Sequence, residues 1–432
     1  MQNIKTKGVT MEDKMIQAIQ QHSNPITGSK NDLDPLVSAI TNQKYILLGE
    51  ASHGTSEFYK IRADMTKRLI VEKEFTFIAV EGDWPACQEV NRYIKGYSNQ
   101  FENARDVLIS FKRWPTWMWA NQEMIDLIEW LKEFNQGKSS ENKVGFYGID
   151  IYSLWESMDE ILKYLEKRNS PDLEVARKAF ACFEPFNREV EKYALSSAFY
   201  AEGCHEEVTK LLTEISVNKH NYQDSEEGSL NVEVNSLITA NAENYYTTMI
   251  TNDNESWNIR DRHMVEVIHK IDSFYNRESK GIIWEHNTHV GDARATDMAN
   301  EGIVNVGQLL REEVGTENVF IVGFGTHHGT VIAATEWGEN FKKMNTPPAV
   351  AGSWEDFLYK AGAYDKLLVF TKKNKHLFVK KIGHRAIGVV YNPQFEHYGN
   401  YVPSVISERY DAFVFVNTTN ALTPLEVTGV LI

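Results

Sequence analysis

Residues 45–55 read YILLGEASHGT and residues 75–84 read FTFIAVEGDW, and these two stretches decide the fold. Each opens with a short run of apolar residues and passes directly into polar ones, which is typical of a buried strand in a parallel sheet. Between them, apolar residues recur at steps of three and four, as on one face of a helix: Phe58, Ile61, Met65 and Leu69. The pattern predicts a strand, a crossover helix and a second, parallel strand.

Further apolar runs continue this pattern along the chain, with helical segments between most of them. One such helix is expected to start near Ala86 and another to cover residues 122–134. Together with the first two, these runs predict an α/β protein whose mostly parallel sheet has helices on both faces. The predicted strands are Tyr45–Gly49, Phe75–Val80, Val144–Ile149, Gly281–Trp284, Val319–Phe324, Leu367–Phe370, Ala386–Tyr391 and Phe413–Val416.

The middle of the chain has a different pattern. From about Ser153 to Tyr275 the strand-like runs vanish and helical periodicity dominates. Residues 241–250 and 258–271 are expected to form its last long helix or pair of helices. We therefore predict the first part of the α/β core over residues 1–152, a large helical insertion over 153–276, and the second part of the core over 277–432.

The composition excludes several classes of protein. Of the 432 residues, 42% are hydrophobic and 24% are charged, as in a folded globular protein. The net charge of -15, without a block rich in lysine and arginine, argues against a nucleic-acid partner. No stretch approaches the ~18 apolar residues of a membrane span, and residues 1–21 lack the apolar segment of a signal peptide. We expect a soluble cytoplasmic protein without a membrane partner.

The cysteines Cys87, Cys182 and Cys204 are odd in number and widely spaced. No two of them have the CxxC spacing that zinc sites or thioredoxin-like chemistry would use. We expect buried free thiols in a reducing compartment.

Several common catalytic motifs are missing. Without a GxSxG elbow, a serine nucleophile of the α/β-hydrolase type is not expected. The segment Gly137-Lys138-Ser139 resembles the end of a phosphate-binding loop, but Lys132 stands where the first glycine belongs. Gly323-Phe324-Gly325 begins like a dinucleotide motif, but His328 replaces its third glycine. No cofactor is predicted.

The ends of five predicted strands carry histidines or carboxylates. Open parallel sheets bind their ligands at the carboxyl ends of the strands, so these residues are expected to meet. A rim with so many ionisable groups is unfavourable unless the groups pair, titrate or bind something. The polar segments are 49–54, 81–83, 149–150, 285–289 and 325–329.

His53 is the best candidate for a catalytic base at this edge. A neutral imidazole can accept a proton from water as the water attacks a carbonyl, while a carboxylate on its other nitrogen fixes the tautomer. Glu50, three residues earlier, or Glu81, on the neighbouring strand, could supply that carboxylate. Arg62, on the crossover helix, could pair with a carboxylate or stabilise an oxyanion. His286 is expected to be a second donor or acid.

Other residues receive lesser assignments. A supporting or substrate-binding role is expected for Asp150, Arg260, Glu285 and His289. The strand-end residues His327 and His328 are expected to have no role. The three tryptophans of the segment RWPTWMW could line a pocket for a large apolar substrate, but aromatic clusters are more often part of the core. These tryptophans are Trp114, Trp117 and Trp119.

The run LLGEASHGT at 47–55, with Arg62 after it and VEGDW at 80–84, resembles the erythromycin esterase family. So do WEHNTH at 284–289 and NIRD at 258–261. The resemblance covers about residues 30–420. It implies a sheet core with a helical insertion, and hydrolysis of an ester or macrocyclic lactone, as in macrolide antibiotic resistance, by histidine-activated water. The implied catalytic residues are Glu50, His53, Arg62, Glu81 and His286.

Some relatives carry a succinoglycan-biosynthesis label, which says little about chemistry. The expected partner is a small-molecule ester or lactone, and no metal is predicted. Two alternatives remain. The same histidines and glutamates offer ligands suited to zinc or manganese, which would make the protein a metal-dependent hydrolase. A haem or small-molecule binding module ranks lowest, because it would not need Glu50, Glu81 and Arg62 around the histidine.

The strand order leads to one geometric expectation. If the first two strands and Gly281–Trp284 are parallel neighbours, the five implied catalytic side chains should all line one cleft beside the helical insertion. At least one carboxylate should lie within hydrogen-bonding distance of a histidine.

Overall fold

The structure is a computed structural model that describes residues 10–200, 203–222, 226–275 and 279–431. Its strands are β1 (Ser23–Pro25), β2 (Tyr45–Leu48), β3 (Phe77–Asp83), β4 (Gly145–Asp150), β5 (Gly281–Trp284), β6 (Val319–Ala333), β7 (Lys342–Thr346), β8 (Lys366–Val369), β9 (Lys381–Arg385), β10 (Tyr401–Val405) and β11 (Ala412–Thr419). Its helices are α1 (Met11–His22), α2 (Asp34–Ala39), α3 (Ser56–Lys73), α4 (Trp84–Lys95), α5 (Ala104–Leu108), α6 (Gln122–Asn135), α7 (Leu154–Lys167), α8 (Leu173–Ala181), α9 (Val190–Tyr200), α10 (His205–Asn218), α11 (Gly228–Met249), α12 (Asp253–Tyr275), α13 (Asn287–Val290), α14 (Val306–Val314), α15 (Trp354–Lys360), α16 (Glu396–Gly399) and α17 (Ile406–Arg409).

The described part of the chain contains one large sheet of nine strands in the order β1-β8-β11-β6-β2-β5-β3-β4, with β7 paired to β6. Along this order the strands from β11 to β4 run parallel. The pairs β1–β8, β8–β11 and β6–β7 are antiparallel, and β9 and β10 form a separate antiparallel pair. The mostly parallel α/β sheet confirms the predicted fold class.

The central strands are buried on both faces, which explains why their sequences do not alternate between apolar and polar residues. On β2, Ile46 and Leu48 face the apolar cluster formed with α3, α4 and α6. Tyr45 and Leu47 face the second cluster, which α11, α12 and α14 complete. Among the described helices, none is long and apolar enough to cross a membrane.

The register of the sheet places the site. Leu48 at the end of β2 lies beside Trp284 of β5, and Trp284 lies beside Val80 of β3. The residues that follow these three positions therefore lie at one edge of the sheet. Helix α3 begins close to the same edge, and it buries Arg62 on the face that also carries Phe58. The predicted strand–helix–strand unit is thus present, with β5 inserted between its strands.

Between β4 and β5 the described residues form helices α7 to α12 and short 3-10 turns, without a strand. They share an apolar cluster of their own, which includes Leu154, Phe180 and Leu211. The last two helices, α11 and α12, also pack on the sheet through residues such as Leu230 and Met264. The division of the chain at residues 152 and 276 stays a prediction.

Cys182 and Cys204 form a disulfide bond in this helical part. The expectation of three free thiols is therefore wrong for this pair. The two cysteines are 22 positions apart in the sequence, and they meet because of how the intervening helices pack. Cys87 on α4 is buried and free, and burial raises the pKa of its thiol well above the usual range.

Two strand predictions need correction. The run Val319–Phe324 is only the first part of β6, which continues to Ala333 because its polar second half pairs with β11 and β7. The predicted strand Ala386–Tyr391 is wrong. Ile387 and Val390 form only isolated bridges, and the neighbouring strand is β9. The polar, exposed sequence of β7 shows why the antiparallel edge had no apolar signal.

Candidate active site

The loop after β2 is held firmly against neighbouring backbone. The carbonyl oxygen of Gly54 accepts hydrogen bonds from the amides of Ile332 and Leu422, each at 3.0 Å. A Cβ atom at Gly54 would lie 1.9 Å from the carbonyl oxygen of Ile332, so only glycine fits there. The carbonyl oxygen of Glu50 accepts from the amide of Asn287 at 2.8 Å. This backbone fixes the positions of the side chains that the loop carries.

His53 is oriented by Glu50. Its Nδ1 atom lies 2.9 Å from Glu50 Oε1, and an ionised carboxylate can only accept, so Nδ1 donates and Nε2 is left as the acceptor. Glu50 Oε2 accepts a hydrogen bond from Arg62. The guanidinium of Arg62 lies 4.5 Å from the rings of both Tyr59 and Trp284. The carboxylate that orients the imidazole is itself held by a buried cation.

Glu81, on β3, lies between several partners. Its Oε1 accepts from Arg260 Nη2 at 2.7 Å, and its Oε2 accepts from the backbone amide of His286 at 2.8 Å. The same Oε1 is 3.9 Å from His53 Nε2 and 3.5 Å from His289 Nε2. Burial acts to raise the pKa of Glu81, but the neighbouring histidines and Arg260 outweigh it and hold the pKa well below its usual range. Glu81 is therefore an anion at neutral pH.

Two features of the surroundings of His53 have opposite effects on its pKa. Burial acts to lower its pKa, while the negative charges of Glu81 and Glu50 act to raise it. The carboxylates win, so the pKa of His53 is raised above its ordinary value. A stronger base and a stabilised imidazolium follow from this balance.

Arg260 brings a charge from the helical part to the edge of the sheet. From α12 it donates to both oxygens of Asp150, at 2.9 Å through Nε and 2.7 Å through Nη2. Asp150 is the last residue of β4. Burial acts to raise the pKa of Asp150, but Arg260 lowers it below the usual range. Arg260 therefore links two carboxylates, Asp150 and Glu81, that would otherwise repel each other.

His289 is engaged at both ring nitrogens. Its Nδ1 atom lies 3.0 Å from both oxygens of Asp261. Its Nε2 atom lies 3.0 Å from Arg260 Nη1, and because a guanidinium can only donate, Nε2 accepts. The ring also stacks on Trp257, with centroids 4.5 Å apart and an interplanar angle of 6°. His289 therefore has no ring nitrogen left to take a proton from water.

His286 is buried and neutral. Burial, and next the charge of His53, lower its pKa well below the ordinary value. Its Nδ1 atom accepts from the backbone amide of Thr288 at 3.3 Å, which leaves the ring proton on Nε2. Its Nε2 atom is buried and has no side-chain partner among the described residues, and the ring also interacts with the backbone of Ala51. The ring centroid lies 4.9 Å from that of His53, so a donor and an acceptor lie side by side.

These groups open onto a cavity of about 370 Å³. Its lining combines ionisable residues from the sheet edge with aromatic and aliphatic residues from the surrounding loops. The ionisable ones are His53, Glu81, Asp83, Arg113, Asp150, Arg260, His286 and His289. The aromatic ones are Phe111, Trp114, Trp119, Tyr152, Trp257 and Trp337.

The expectation that five catalytic side chains line this cavity is wrong for two of them. His53, Glu81 and His286 are in the lining, whereas Glu50 and Arg62 are not. Their polar groups face the Nδ1 side of His53 and the aromatic rings of the core. Glu50 therefore holds the imidazole of His53 in place, and Arg62 holds Glu50. The sequence places residues at a sheet edge but does not show which side of an imidazole they contact.

Of the four residues expected to have a supporting or substrate-binding role, only some line the cavity. Asp150, Arg260 and His289 line the cavity, but Glu285 does not. The Glu285 carboxyl is fully buried, and its oxygens have no hydrogen-bond partner among the described residues. Burial raises the pKa of Glu285 well above its usual range. It is a neutral acid beneath the site.

The tryptophans of the RWPTWMW segment divide between cavity and core. Trp114 and Trp119 line the cavity, and Trp117 and Trp119 are part of the apolar core, so Trp119 belongs to both. His327 and His328 lie within β6 and not at its end, so that placement was wrong. Their Nδ1 atoms are 2.9 Å apart, and His327 stacks on Tyr359 away from the cavity.

Several residues of the site were not identified from the sequence. Asp261 and Trp257 hold His289, Thr288 fixes the tautomer of His286, and Trp337 lines the cavity. A signal for the first two was present. Residues 257, 260 and 261 are separated by three and four positions, so they share one face of α12. Trp337 lies in a connection with no such periodicity.

In the ranges that the structure describes, no group of three or more His, Cys, Asp or Glu side chains is arranged to hold a metal ion. The oxygens of the two central carboxylates already have partners. Glu50 accepts from His53 and Arg62, and Glu81 accepts from Arg260 and the amide of His286. The donor set does not fit a metal without breaking these contacts.

A parallel sheet that presents a carboxylate-held histidine to a cavity has the groups that a hydrolase needs to activate water. The chain belongs to the erythromycin esterase family, whose profile matches residues 70–419. The stretch 45–55 lies before the matched range. The family resemblance seen in the sequence is thereby confirmed.

Individual relatives are distant. The chain is 21% identical over 428 residues to YbfO of Bacillus subtilis (strain 168), which carries a provisional hydrolase name, covering 92% of this chain and 89% of YbfO. It is 30% identical over 121 residues to erythromycin esterase type II of Escherichia coli, covering 28% of this chain and 26% of that enzyme.

Solved structures share the fold. A Bacillus cereus protein superposes with a TM-score of 0.79 at 19% identity, covering 96% of this chain and 99% of that one. A succinoglycan biosynthesis protein superposes with a TM-score of 0.75 at 20% identity, covering 96% and 100%. A mutant of the erythromycin esterase EreC in its open conformation gives 0.63 at 16% identity, covering 91% and 95%.

Proposed function

We propose that the protein is a carboxylic ester hydrolase of the erythromycin esterase type, which cleaves an ester or a macrocyclic lactone with water activated by His53. The proposal rests on the hydrogen bonding of the His53 ring. Its Nδ1 atom donates to Glu50, so the acceptor nitrogen Nε2 remains in a residue that lines the cavity. This is the geometry that general-base catalysis requires.

In the first step, the water oxygen forms a bond to the ester carbonyl carbon and one water proton passes to His53 Nε2. The imidazolium that forms is stabilised by Glu50 at Nδ1 and by Glu81, 3.9 Å from Nε2. Arg62 and Arg260 hold these two carboxylates in place. The carbonyl π electrons move to the oxygen and give a tetrahedral oxyanion.

His286 is the candidate donor to that oxyanion, although its Nε2 atom is buried in this structure. It is neutral, its ring proton is on Nε2, and its ring lies beside that of His53. When the intermediate collapses, the bond between the carbonyl carbon and the alcohol oxygen breaks, and His53 returns its proton to the alkoxide. An ester yields an acid and an alcohol, and a lactone yields one hydroxy acid.

The proposal is tested by incubating the protein with a panel of uncharged esters and lactones and measuring the acid released. We expect turnover of at least one of them, and loss of that turnover in His53→Ala. His376→Ala replaces an exposed histidine outside the cavity and is the matched control. Absence of hydrolysis across the panel, or full activity of His53→Ala, would refute the proposal.

The same assay with a chelator tests the metal-dependent alternative. Because the oxygens of Glu50 and Glu81 are already bonded to protein donors, we expect activity to survive exhaustive chelation. Loss of activity on chelation, with recovery on adding zinc or manganese, would favour the metal-dependent reading.

A further inference from the structure

The cavity carries a pair of aromatic rings that the proposed chemistry does not use. Trp337 lies in the connection between β6 and β7, and Trp114 lies in the segment before α6. Their ring centroids are 4.5 Å apart at an interplanar angle of 58°. Trp337 is 56% exposed although it is a large apolar residue. Such a residue at the lining of a cavity is suited to hold a ligand.

Contacts within the protein hold the pair in position. The indole nitrogen of Trp114 donates to the carbonyl oxygen of Glu339 at 2.9 Å, which ties its segment to the connection that carries Trp337. The ring of Tyr152 lies 6.3 Å from that of Trp337, edge to face. Preformed aromatic surface of this kind binds a flat group with little loss of conformational freedom.

The charged side chains that line the cavity are paired with one another. Among the described residues, each carboxylate and guanidinium of the lining is in an ion pair. Asp83 receives two hydrogen bonds from Arg113, while Glu81 and Asp150 share Arg260. Three carboxylates face two guanidinium groups, so an anionic substrate would be repelled and would find no unpaired cation. The lining favours an uncharged substrate.

The size of the cavity sets a further limit. Its volume of about 370 Å³ is at the low end of the range of about 300–1,000 Å³ in which drug-sized ligands are enclosed. A compact ester fits within it. A glycosylated macrolactone is much larger and would project from the cavity.

We infer that the substrate is a compact, uncharged ester carrying a flat apolar group, and that Trp337 and Trp114 form the subsite for that group. The inference rests on the proposed ester hydrolysis and names its substrate class. Trp337 is then a specificity-determining residue, because it contacts the part of the substrate that does not react.

The experiment compares 2-naphthyl acetate, which has a flat apolar group, with ethyl acetate, which lacks one. In Trp337→Ala, we expect KM for the naphthyl ester to rise about tenfold, from the loss of one aromatic contact, with kcat nearly unchanged. The kinetics of ethyl acetate should stay within about twofold of wild type. Phe341→Ala removes an exposed aromatic residue of the same connection, outside the lining, and should change neither substrate.

Two further esters test charge and size with the wild-type protein. We expect a sulfonated naphthyl acetate and erythromycin each to have a lower kcat/KM than 2-naphthyl acetate. The inference is overturned if either of them is the better substrate, or if Trp337→Ala changes both acetates equally or not at all.

A binding measurement separates this inference from the proposed function. The unreactive ketone 2-acetonaphthone has the shape of the naphthyl ester, and calorimetry should show about tenfold weaker binding to Trp337→Ala than to wild type or Phe341→Ala. If no ester is hydrolysed but this difference is present, the proposed function fails and the aromatic subsite stands. If esters are hydrolysed but the ketone binds all three proteins equally, the subsite fails and the proposed function stands.

Discussion

Two histidines, His53 and His289, flank Glu81, and they have almost the same kinds of neighbouring residues. His53 has Glu50 on its Nδ1 atom and an arginine behind that carboxylate. His289 has Asp261 on its Nδ1 atom and Arg260 close by. Both Nε2 atoms lie within 4 Å of the same Glu81 oxygen, at 3.9 and 3.5 Å. By residue type, either group could serve as an activated histidine.

The difference is the atom that each arginine contacts. Arg62 donates to Glu50, so it strengthens the hold on Nδ1 and leaves the other nitrogen of His53 as an acceptor. Arg260 donates to Nε2 of His289 itself and so occupies the nitrogen that would take a proton. A histidine, a carboxylate and an arginine therefore do not by themselves define a base. In the proposed mechanism, the contact of the arginine decides whether the imidazole can accept a proton or only holds its neighbours.

The two histidines should differ most in the loss of kcat when each is removed. His53→Ala should reduce kcat on the best ester by about 10²-fold to 10⁴-fold, the contribution of a general base. His289→Ala should reduce kcat by less than about tenfold, because that ring holds neighbours and moves no proton. Thermal unfolding of both variants serves as the control for folding. Equal losses in the two variants would contradict the assignment of different roles.

The carboxylates allow a second, smaller test. In Glu50→Gln the amide can donate to Nδ1 of His53, which moves the ring proton to Nε2 and removes the acceptor. We expect kcat to fall by up to about 10⁴-fold, the loss that the wrong tautomer causes in a catalytic triad, but by no more than in His53→Ala. The matched Asp261→Asn changes the partner of His289 and should cost no more than about threefold. A larger loss of kcat in Asp261→Asn than in Glu50→Gln would exchange the roles proposed for His289 and His53.

The pH dependence of the reaction gives a further test of the role of His53. Glu81 and Glu50 raise the pKa of His53 above the ordinary value near 6.5 in spite of burial, and the base must be neutral to act. The value of kcat/KM should therefore rise with pH, with its midpoint above that of an ordinary histidine. Glu81→Gln removes a negative charge, which lowers the pKa and moves the midpoint to lower pH.

The control for this shift is Asp126→Asn, which removes an exposed carboxylate on α6 and should leave the midpoint in place. A midpoint that moves to higher pH in Glu81→Gln would mean that the titrating group is not an imidazole stabilised by Glu81.

The smallest effect is expected at the stacked ring. Trp257→Leu removes the partner of His289 without touching His53. The free energy of unfolding should fall by about 2 kcal/mol, from the loss of the aromatic pair and of the hydrogen bond that the indole nitrogen of Trp257 donates to the carbonyl oxygen of Val304, as measured by denaturant titration. The value of kcat should stay within about threefold of wild type. A loss of kcat as large as that in Glu50→Gln would place His289 in the reaction.

Much of the fold could be predicted because burial on both faces leaves a strong sequence signal. The run Tyr45–Leu48 and its equivalents on β3 and β5 are apolar throughout, and they form the centre of the sheet. The edges were missed for the opposite reason. The strand β7 is polar and mostly exposed, and the second half of β6 contains polar residues that its pairing with β11 and β7 keeps extended.

At the site, the sequence predicted which residues lie at the edge but not how they face one another. The register of β2, β3 and β5 follows from their runs, so Glu50, Glu81 and His286 are brought together as expected. The contact of Arg260 with His289 depends on how α12 packs against the sheet. No local pattern encodes that packing. The Cys182–Cys204 bond was missed for the same reason.

The position of β5 has a consequence for how the protein is made. The strands β2 and β3 follow one another in the sequence, yet β5 lies between them in the sheet, and helices α7 to α12 are synthesised before it. Until β5 leaves the ribosome, the facing edges of β2 and β3 lack the strand that pairs with both, and such edges are prone to wrong pairing. Contacts between residues so far apart form slowly. Because His286 follows β5 directly, the joining of β2 and β3 through β5 and the arrival of His286 at the site belong to the same event in the life of the nascent chain.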